Sequence, residues 1–413
     1  MSAQVDPLAG LDEVEWEWLV HAYGSARDVP PNLRALRSRD ARVRHDALMS
    51  LSSSVTHQGG RYSASAPVAR FVVELVLAPD ALDRERLLEF LCALAVGIDD
   101  DRLPAGVPIS EWRDGAASLE AERESLVVHA AEWADREMKR GPERELWLRN
   151  PFSGLTPSPD TVAAYDAVRD ELPRLVRFLA SRRSVERTRV AYLVGMFPES
   201  ATETVPLLAD RLDVEADEHA LTSTLIAHGL IASPSETLDS VARFLDDERP
   251  LVRWGAATAL ARASATTDSE SPSRQTIRAL IESTVHEDVP DLRIHDGWIG
   301  SYAAKSLASI SHWLTTNDIK ELADRLPLAT SSFNREQLLD TVLSAAFPGT
   351  SPEADVRLDN LIPVQQHVLH AVLPIWESND SWLSAVPGAL ARHGLKGSRN
   401  EIEAALAPGA DRR

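Results

Sequence analysis

The sequence predicts an all-α chain in which about eight antiparallel helix pairs stack into a solenoid, interrupted by one helical insertion. Three observations support this prediction. Apolar residues recur at intervals of three and four, whereas alternation with period 2 never persists, so helices rather than strands are expected. Short helices follow one another with brief turns, and two of the helix pairs share a sequence pattern. Residues 97–159 break this rhythm.

The shared pattern lies in residues 43–51 and 252–260, each of which reads valine, arginine, two residues, alanine, three residues, leucine. The valine, alanine and leucine fall on one helical face, and the small alanine permits a neighbouring helix to approach closely. The arginine lies beside this face, where its stem can cover apolar surface while its head group meets a turn. This pattern resembles the HEAT repeat, whose units stack because none can bury its apolar face alone.

Further copies predict the domain organisation. Glu186 stands at the valine position of one degenerate copy, and Arg187 follows it. We expect N-terminal repeats over residues 1–96, an insertion over 97–159 and C-terminal repeats over 160–413, all within one continuous solenoid. First helices of the repeats are expected to begin near Asn32, Pro67, Glu171, Thr204, Glu236, Arg274, Thr316 and Pro363.

The insertion is expected to contain one long polar helix from about Ser110 to Arg140, ended by a Gly-Pro pair. It carries Trp112, Trp133 and Trp147. These tryptophans either pack the insertion onto the repeats or form an exposed recognition surface, a role in which tryptophan is favoured.

Charge and cysteine content exclude several classes of function. The chain has 43 basic and 63 acidic residues, a net charge of −20, which repels phosphate backbones and anionic lipid, so nucleic-acid and membrane partners are not expected. The single cysteine, Cys92, excludes an intramolecular disulfide or a zinc site of paired thiolates, and its apolar surroundings predict a buried side chain. Residues 1–6 lack the features of a signal peptide, and the most apolar stretch, residues 71–78, is too short to cross a bilayer. A cytoplasmic protein is expected.

Several local segments carry a more specific resemblance. They are His-Ala-Tyr-Gly-Ser-Ala at 21–26, Asp-Val-Pro at 28–30, His-Gln-Gly-Gly-Arg-Tyr at 57–62 with the alanines and proline that follow, and Ala-Tyr-Leu at 191–193 with Phe-Pro at 197–198. Together they resemble a family of bacterial HEAT-repeat proteins common in actinomycetes, over residues 11–265. The resemblance implies the fold but no particular activity.

The candidate binding site is the His57 segment, residues 56–66, which is long for a turn between repeat units. Two adjacent glycines permit positive φ and close backbone approach. Either the polar groups of this segment satisfy its own backbone and lock two units together, or they bind a ligand or partner. No nucleophile or paired acid lies nearby in sequence, so no catalytic residue is assigned. The candidate binding residues are Tyr23, His57, Gln58, Gly59, Arg61, Tyr62 and Trp112.

The sequence contains no phosphate-binding loop, dinucleotide fingerprint, nucleophile elbow or His-Glu-x-x-His motif. Residues 286–296 combine two histidines with several carboxylates, which suggests either a divalent metal site or a solvated acidic loop. His367 and His370 are neighbours on one helix, but two imidazoles do not complete a metal site. No metal ligand and no cofactor is therefore predicted.

These observations favour a non-enzymatic, protein- or peptide-binding scaffold in the bacterial cytosol. One alternative is a metal- or small-molecule-dependent enzyme or accessory factor that uses the His57 segment or the cluster at His286–Asp296. Another is an immunity-type protein that neutralises a basic partner. The acidic excess favours a basic partner, or it only keeps the array in solution. The oligomeric state is unknown from the sequence.

Overall fold

A computed structural model describes residues 6–267, 271–329, 331–376 and 385–407. These residues are almost entirely helical, which confirms the all-α prediction. Their strand content is one small antiparallel hairpin, β1 (Val20–His21) and β2 (Gly24–Ser25), with Val20 opposite Ser25. Residues 1–5, used in the argument against a signal peptide, lie outside the described part. Within that part, none of the helices has the length and hydropathy needed to cross a membrane.

The chain divides into two compact units, Met1–Arg102 with Gly106–Leu208 and Leu103–Ala105 with Ala209–Arg413. The boundaries predicted from sequence at 96 and 159 stay a prediction. The α-helices up to the end of the first unit are α1 (Val29–Ala35), α2 (Ala41–Val55), α3 (Ser65–Leu77), α4 (Arg84–Val96), α5 (Ile109–Ala121), α6 (Arg123–Arg136), α7 (Gly141–Arg149), α8 (Pro159–Arg169), α9 (Leu172–Leu175), α10 (Ser184–Val194) and α11 (Ala201–Val214), which runs past residue 208.

Four of the helices that follow, those that begin at Pro234, Arg274, Thr316 and Pro363, start within two residues of positions expected from sequence. The helices after α11 are α12 (Glu218–Ile231), α13 (Pro234–Val241), α14 (Pro250–Ala265), α15 (Arg274–Ser283), α16 (Ile299–Ser309), α17 (Thr316–Arg325), α18 (Ser332–Ala346), α19 (Pro363–Val372), α20 (Ala385–Arg392) and α21 (Arg399–Leu406). Short 3₁₀ helices lie at 11–13, 16–18, 26–28, 57–59, 99–101, 176–180, 198–200, 242–246, 290–292, 294–297, 311–313, 326–328, 358–360 and 373–375.

Local sequence signals explain many of the helix starts. Ser158, Ser233, Thr315 and Ser398 each cap a helix, with the third residue of the helix hydrogen bonding back to the cap. This reciprocal arrangement satisfies two backbone N–H groups that the first turn leaves free. A proline occupies the first position of α8, α13, α14 and α19, where its missing N–H costs nothing.

In the second unit the helices contact one another in two series. Helices α12, α14, α16, α18 and α20 touch in succession, and so do α15, α17 and α19. Small residues permit the closest of these contacts: a Cβ added to Gly229 on α12 would lie 2.5 Å from Cβ of Ala259 on α14. Ala256 is fully buried, as the repeat pattern predicts.

One arginine contact recurs at the same position of four helices. Arg44, Arg187, Arg253 and Arg335 are each the fourth residue of their helix. Each donates a side-chain N–H to the carbonyl oxygen six residues earlier, at 2.9, 2.8, 2.8 and 3.3 Å respectively. The guanidinium thereby fixes the turn that precedes the helix. The sequence pattern located the first three of these arginines and missed Arg335.

The prediction of one long helix from Ser110 to Arg140 is wrong. The helix breaks at Glu122, where the backbone has φ −94° and ψ 5°, and becomes the separate helices α5 and α6. Their packing differs, since α5 contacts α8 whereas α6 contacts α7, with Trp133 and Trp147 edge-to-face at 5.0 Å. A straight helix could not follow both neighbours.

Candidate functional site

The His57 segment connects α2 to α3, as expected. Ser65 Oγ accepts a hydrogen bond from the Tyr62 backbone N–H (2.8 Å) and donates one to the Val55 carbonyl (2.7 Å). The Ala64 N–H donates to the carbonyl of Val20 on β1 (3.1 Å). These bonds tie the segment to the end of α2 and to the hairpin, which agrees with a locking role.

One side of the segment faces solvent. Tyr23, in the hairpin turn, is 67% exposed, and its hydroxyl lies 3.3 Å from His57 Nδ1. The two rings are 5.3 Å apart. Gln58 is exposed and adopts a left-handed backbone conformation with φ 49°. The fold therefore brings Tyr23 and His57 together, although 34 residues separate them in the chain.

Tyr23 also lines an open groove of about 470 Å³ between the hairpin and α7. Trp18 and Trp147 supply the other aromatic rings of this surface, which we call the aromatic groove. Its charged lining consists of Glu17, Arg27, Lys139, Arg140 and Glu143. Nothing in the sequence links Trp18 or Trp147 to Tyr23, because residues 18, 23 and 147 have no common sequence motif.

The other side of the His57 segment is buried. Arg61 is 1% exposed and Tyr62 is 9% exposed, and burial raises the pKa of the Tyr62 hydroxyl. The Arg61 guanidinium donates from Nη1 to the Gly59 carbonyl. Gly97, with φ 76°, encloses this contact, since a Cβ there would lie 2.0 Å from Arg61 Nη1. Only glycine suits that position.

Trp112 is also buried, with 4% of its surface exposed. Its ring centroid lies 5.1 Å from Cζ of Arg61 and 4.8 Å from Cζ of Arg102, and it meets the Tyr165 ring edge-on at 6.1 Å. Trp112 thus packs α5 onto α8. The structure divides the seven predicted residues into an exposed group around Tyr23 and a buried group around Arg61. Arg102 belongs to the second group, and no sequence signal marked it.

His21, next to this region, is not available as a general base. Its Nε2 lies 2.8 Å from Asp28 Oδ1, and its Nδ1 accepts the backbone N–H of Tyr23 at 3.1 Å. Both ring nitrogens are occupied, so the His21–Asp28 pair fixes the hairpin turn beneath Tyr23 instead.

The two histidines of residues 286–296 lie in different environments. His286 Nδ1 hydrogen bonds with the Glu287 carbonyl (2.9 Å), whereas His295 is fully buried and hydrogen bonds with Ser301 Oγ (2.9 Å). The expectation of a solvated loop is therefore wrong for His295. Across the described ranges, no group of three or more His, Cys, Asp and Glu side chains could hold a metal ion. Of the two neighbouring histidines on α19, His367 is paired with a carboxylate, since its Nε2 lies 2.8 Å from Asp324 Oδ1.

Comparison of the chain with protein-family models and with curated proteins found no match. The resemblance to bacterial HEAT-repeat proteins therefore stays a prediction from the sequence segments quoted above.

Proposed function

We propose that this chain is a non-enzymatic, HEAT-like α-solenoid that binds a protein or peptide segment in the aromatic groove. The observation that carries the proposal is the exposure of Tyr23 beside Trp18 and Trp147 in an open groove. Tyrosine and tryptophan supply a large share of binding energy at protein interfaces, because they bury much area at little cost in side-chain entropy.

The solenoid part of the proposal is supported by two structural regularities. The arginine contact recurs at the same helical position in α2, α10, α14 and α18. In the second unit, alternate helices contact in succession, as expected of stacked helix pairs. Such arrays provide extended surfaces without requiring a reactive centre.

The groove indicates which kind of segment it holds. Its aromatic floor suits an apolar side chain, and its rim carries charges of both signs. Lys139 is paired with Glu143 at 2.5 Å, and Arg140 lies 4.0 Å from Asp135. Glu17 and Arg27 therefore remain at the rim to contact polar groups of the bound segment. We therefore expect an extended peptide with an aromatic or aliphatic anchor residue.

Selection from a displayed random-peptide library against the full chain tests this proposal. Bound peptides are expected to share an apolar anchor and to lose at least tenfold in affinity for Tyr23→Ala, measured by fluorescence polarisation. Val214→Ala is the matched control, because Val214 is as exposed as Tyr23, at 67%, and does not line the groove. Equal binding to wild type and Tyr23→Ala would contradict the proposal.

A further inference from the structure

Arg61 is a buried cation that lacks a counterion. Its Nη1 donates to the Gly59 carbonyl, but within the described ranges Nε and Nη2 have no hydrogen-bond partner and the side chain forms no ion pair. Removing a guanidinium charge from water is costly unless an opposite charge compensates for it. The chain carries 63 acidic residues, yet within the described ranges none of them is paired with Arg61.

The unpartnered atoms lie on one edge of the guanidinium. Nε–H and one Nη2–H point in parallel from that edge, the geometry that binds the two oxygens of a carboxylate or phosphate at once. The hydrogen bond from Nη1 to Gly59, enclosed by Gly97, holds the plane of the group in place. The edge is therefore oriented in advance.

A second cation lies beside the first. Arg102 approaches the same Trp112 ring, and its hydrogen bond to the Val96 carbonyl is long, at 3.4 Å. It is half-buried and forms no ion pair in the part of the chain that the structure describes. Burial lowers the pKa of Arg102, and the nearby charge of Asp101 partly opposes this. Burial, followed by the repulsion from Arg102, lowers the pKa of Arg61 to about 10. The cluster reaches the surface at the half-buried Arg102, whereas Nε and Nη2 of Arg61 are enclosed, so an anion would approach from Arg102 and displace the side chains that cover Arg61.

We propose that Arg61, Arg102 and Trp112 form a binding site for an oxyanion, a phosphate or carboxylate group that a ligand brings from outside the chain. The anion would accept two N–H bonds from the free edge of Arg61 and neutralise the repulsion between the arginines. This site is separate from the aromatic groove and does not depend on the peptide-binding proposal.

Thermal unfolding and calorimetric titration of the full chain, with inorganic phosphate or with acetate at low millimolar concentration, test the site in chloride buffers of matched ionic strength. A saturable rise in melting temperature is expected for at least one anion, because a ligand that binds only the folded state stabilises it. A response to phosphate alone identifies a phosphoryl ligand, and a response to acetate identifies a carboxylate. Arg61→Met and Arg102→Gln are expected to weaken the anion affinity at least tenfold.

Arg149→Met is the matched control. Arg149 also stacks on a tryptophan, Trp18 at 4.2 Å, but it is neutralised by Glu145 at 3.0 Å, so its substitution should leave the anion response unchanged. In chloride alone, Arg61→Met is expected to melt no lower than wild type, since it removes an uncompensated buried charge. A lower melting temperature there, together with no anion response of the wild type, would mean that Arg61 only holds the Gly59 carbonyl and the Trp112 ring in place. The proposal is overturned if neither anion raises the melting temperature above that in chloride, or if Arg102→Gln responds like wild type.

Discussion

His228 shows at the scale of one residue how burial decides protonation. It is fully buried on α12, and neither ring nitrogen has a hydrogen-bond partner among the described residues. Burial lowers its pKa, an effect that Glu236 partly opposes. At neutral pH the folded state therefore holds the neutral imidazole.

The free energy of unfolding is consequently expected to decrease as the pH is lowered below about 6.5. Below the ordinary histidine pKa of about 6.5 the unfolded chain binds a proton that the folded chain does not, so the free energy of unfolding drops by up to about 1.4 kcal/mol per pH unit until the lowered pKa is reached. Urea unfolding at about pH 7.5 and 5.5 should show a smaller drop for His228→Leu than for wild type. His370→Gln, at an exposed position on α19, should keep the wild-type drop; an equal drop in all three proteins would contradict this account.

Glu186 is a charged residue in a position where the repeat pattern has valine. Its side chain is 2% exposed and accepts hydrogen bonds from Arg84 (2.9 Å), Arg183 (3.1 Å) and Ser181 (2.6 Å). Burial by itself would raise the pKa of Glu186, but the hydrogen bonds from Ser181 and Arg84 outweigh it and lower the pKa. The carboxylate is thus ionised although it is buried.

Replacing Glu186 with the valine of the repeat pattern is expected to destabilise the protein. Glu186→Val leaves Arg84 without its counterion, although its bonds to the Val76 and Ala78 carbonyls remain. It should cost about 3 kcal/mol, the lower end for a broken buried pair, because water still reaches part of Arg84. Arg84→Met combined with Glu186→Val should cost less than the sum of the single changes, measured by urea unfolding. Glu145→Val, which breaks a surface pair with Arg149, should leave the melting temperature nearly unchanged. Additive effects of the two buried changes would rule out the coupling.

At the scale of elements, close contact between α12 and α14 depends on glycine. A Cβ on Gly229 would lie 2.5 Å from Cβ and 2.6 Å from Cα of Ala259, so backbone would have to move. Gly388 on α20 offers a contrast, since the nearest atom to its added Cβ is the end of Arg392 at 4.0 Å.

Gly229→Ala is therefore expected to lower the free energy of unfolding by roughly 1–3 kcal/mol through overpacking. Gly388→Ala should raise it by up to about 1 kcal/mol, because alanine is the better helix former and meets open space. Chemical denaturation of both variants provides the comparison. Stabilisation by Gly229→Ala would mean that the distance between α12 and α14 at Gly229 is larger than in this structure.

At the scale of the whole molecule, the net charge of −20 sets up repulsion from anions and attraction for cations. Because the acidic excess is spread along the chain, we expect peptides selected on the aromatic groove to be basic overall. Their affinity should weaken between about 50 and 500 mM salt, since the Debye length at the higher value is only about 4 Å. Affinity that does not respond to salt would leave apolar contacts with the groove as the source of binding.

Much of the fold could be predicted from sequence because helix formation is a local property. Prolines and capping residues at the starts of α13, α17 and α19 fix those helices within a few residues. The arginine pattern placed Arg44 and Arg253 in equivalent turns, and the apolar run around Cys92 predicted its burial. Each of these features depends on residues within two or three helical turns.

Only the tertiary structure decided how the candidate site is divided. Tyr23 is exposed and Arg61 is buried, although both belong to segments singled out from sequence, because contacts with Gly97, Arg102 and Trp112 enclose Arg61. The break at Glu122 has the same origin, since α5 and α6 pack against different helices. Burial depends on tertiary contacts between segments that are far apart in sequence. The periodicity and composition of a single segment carry no information about those contacts.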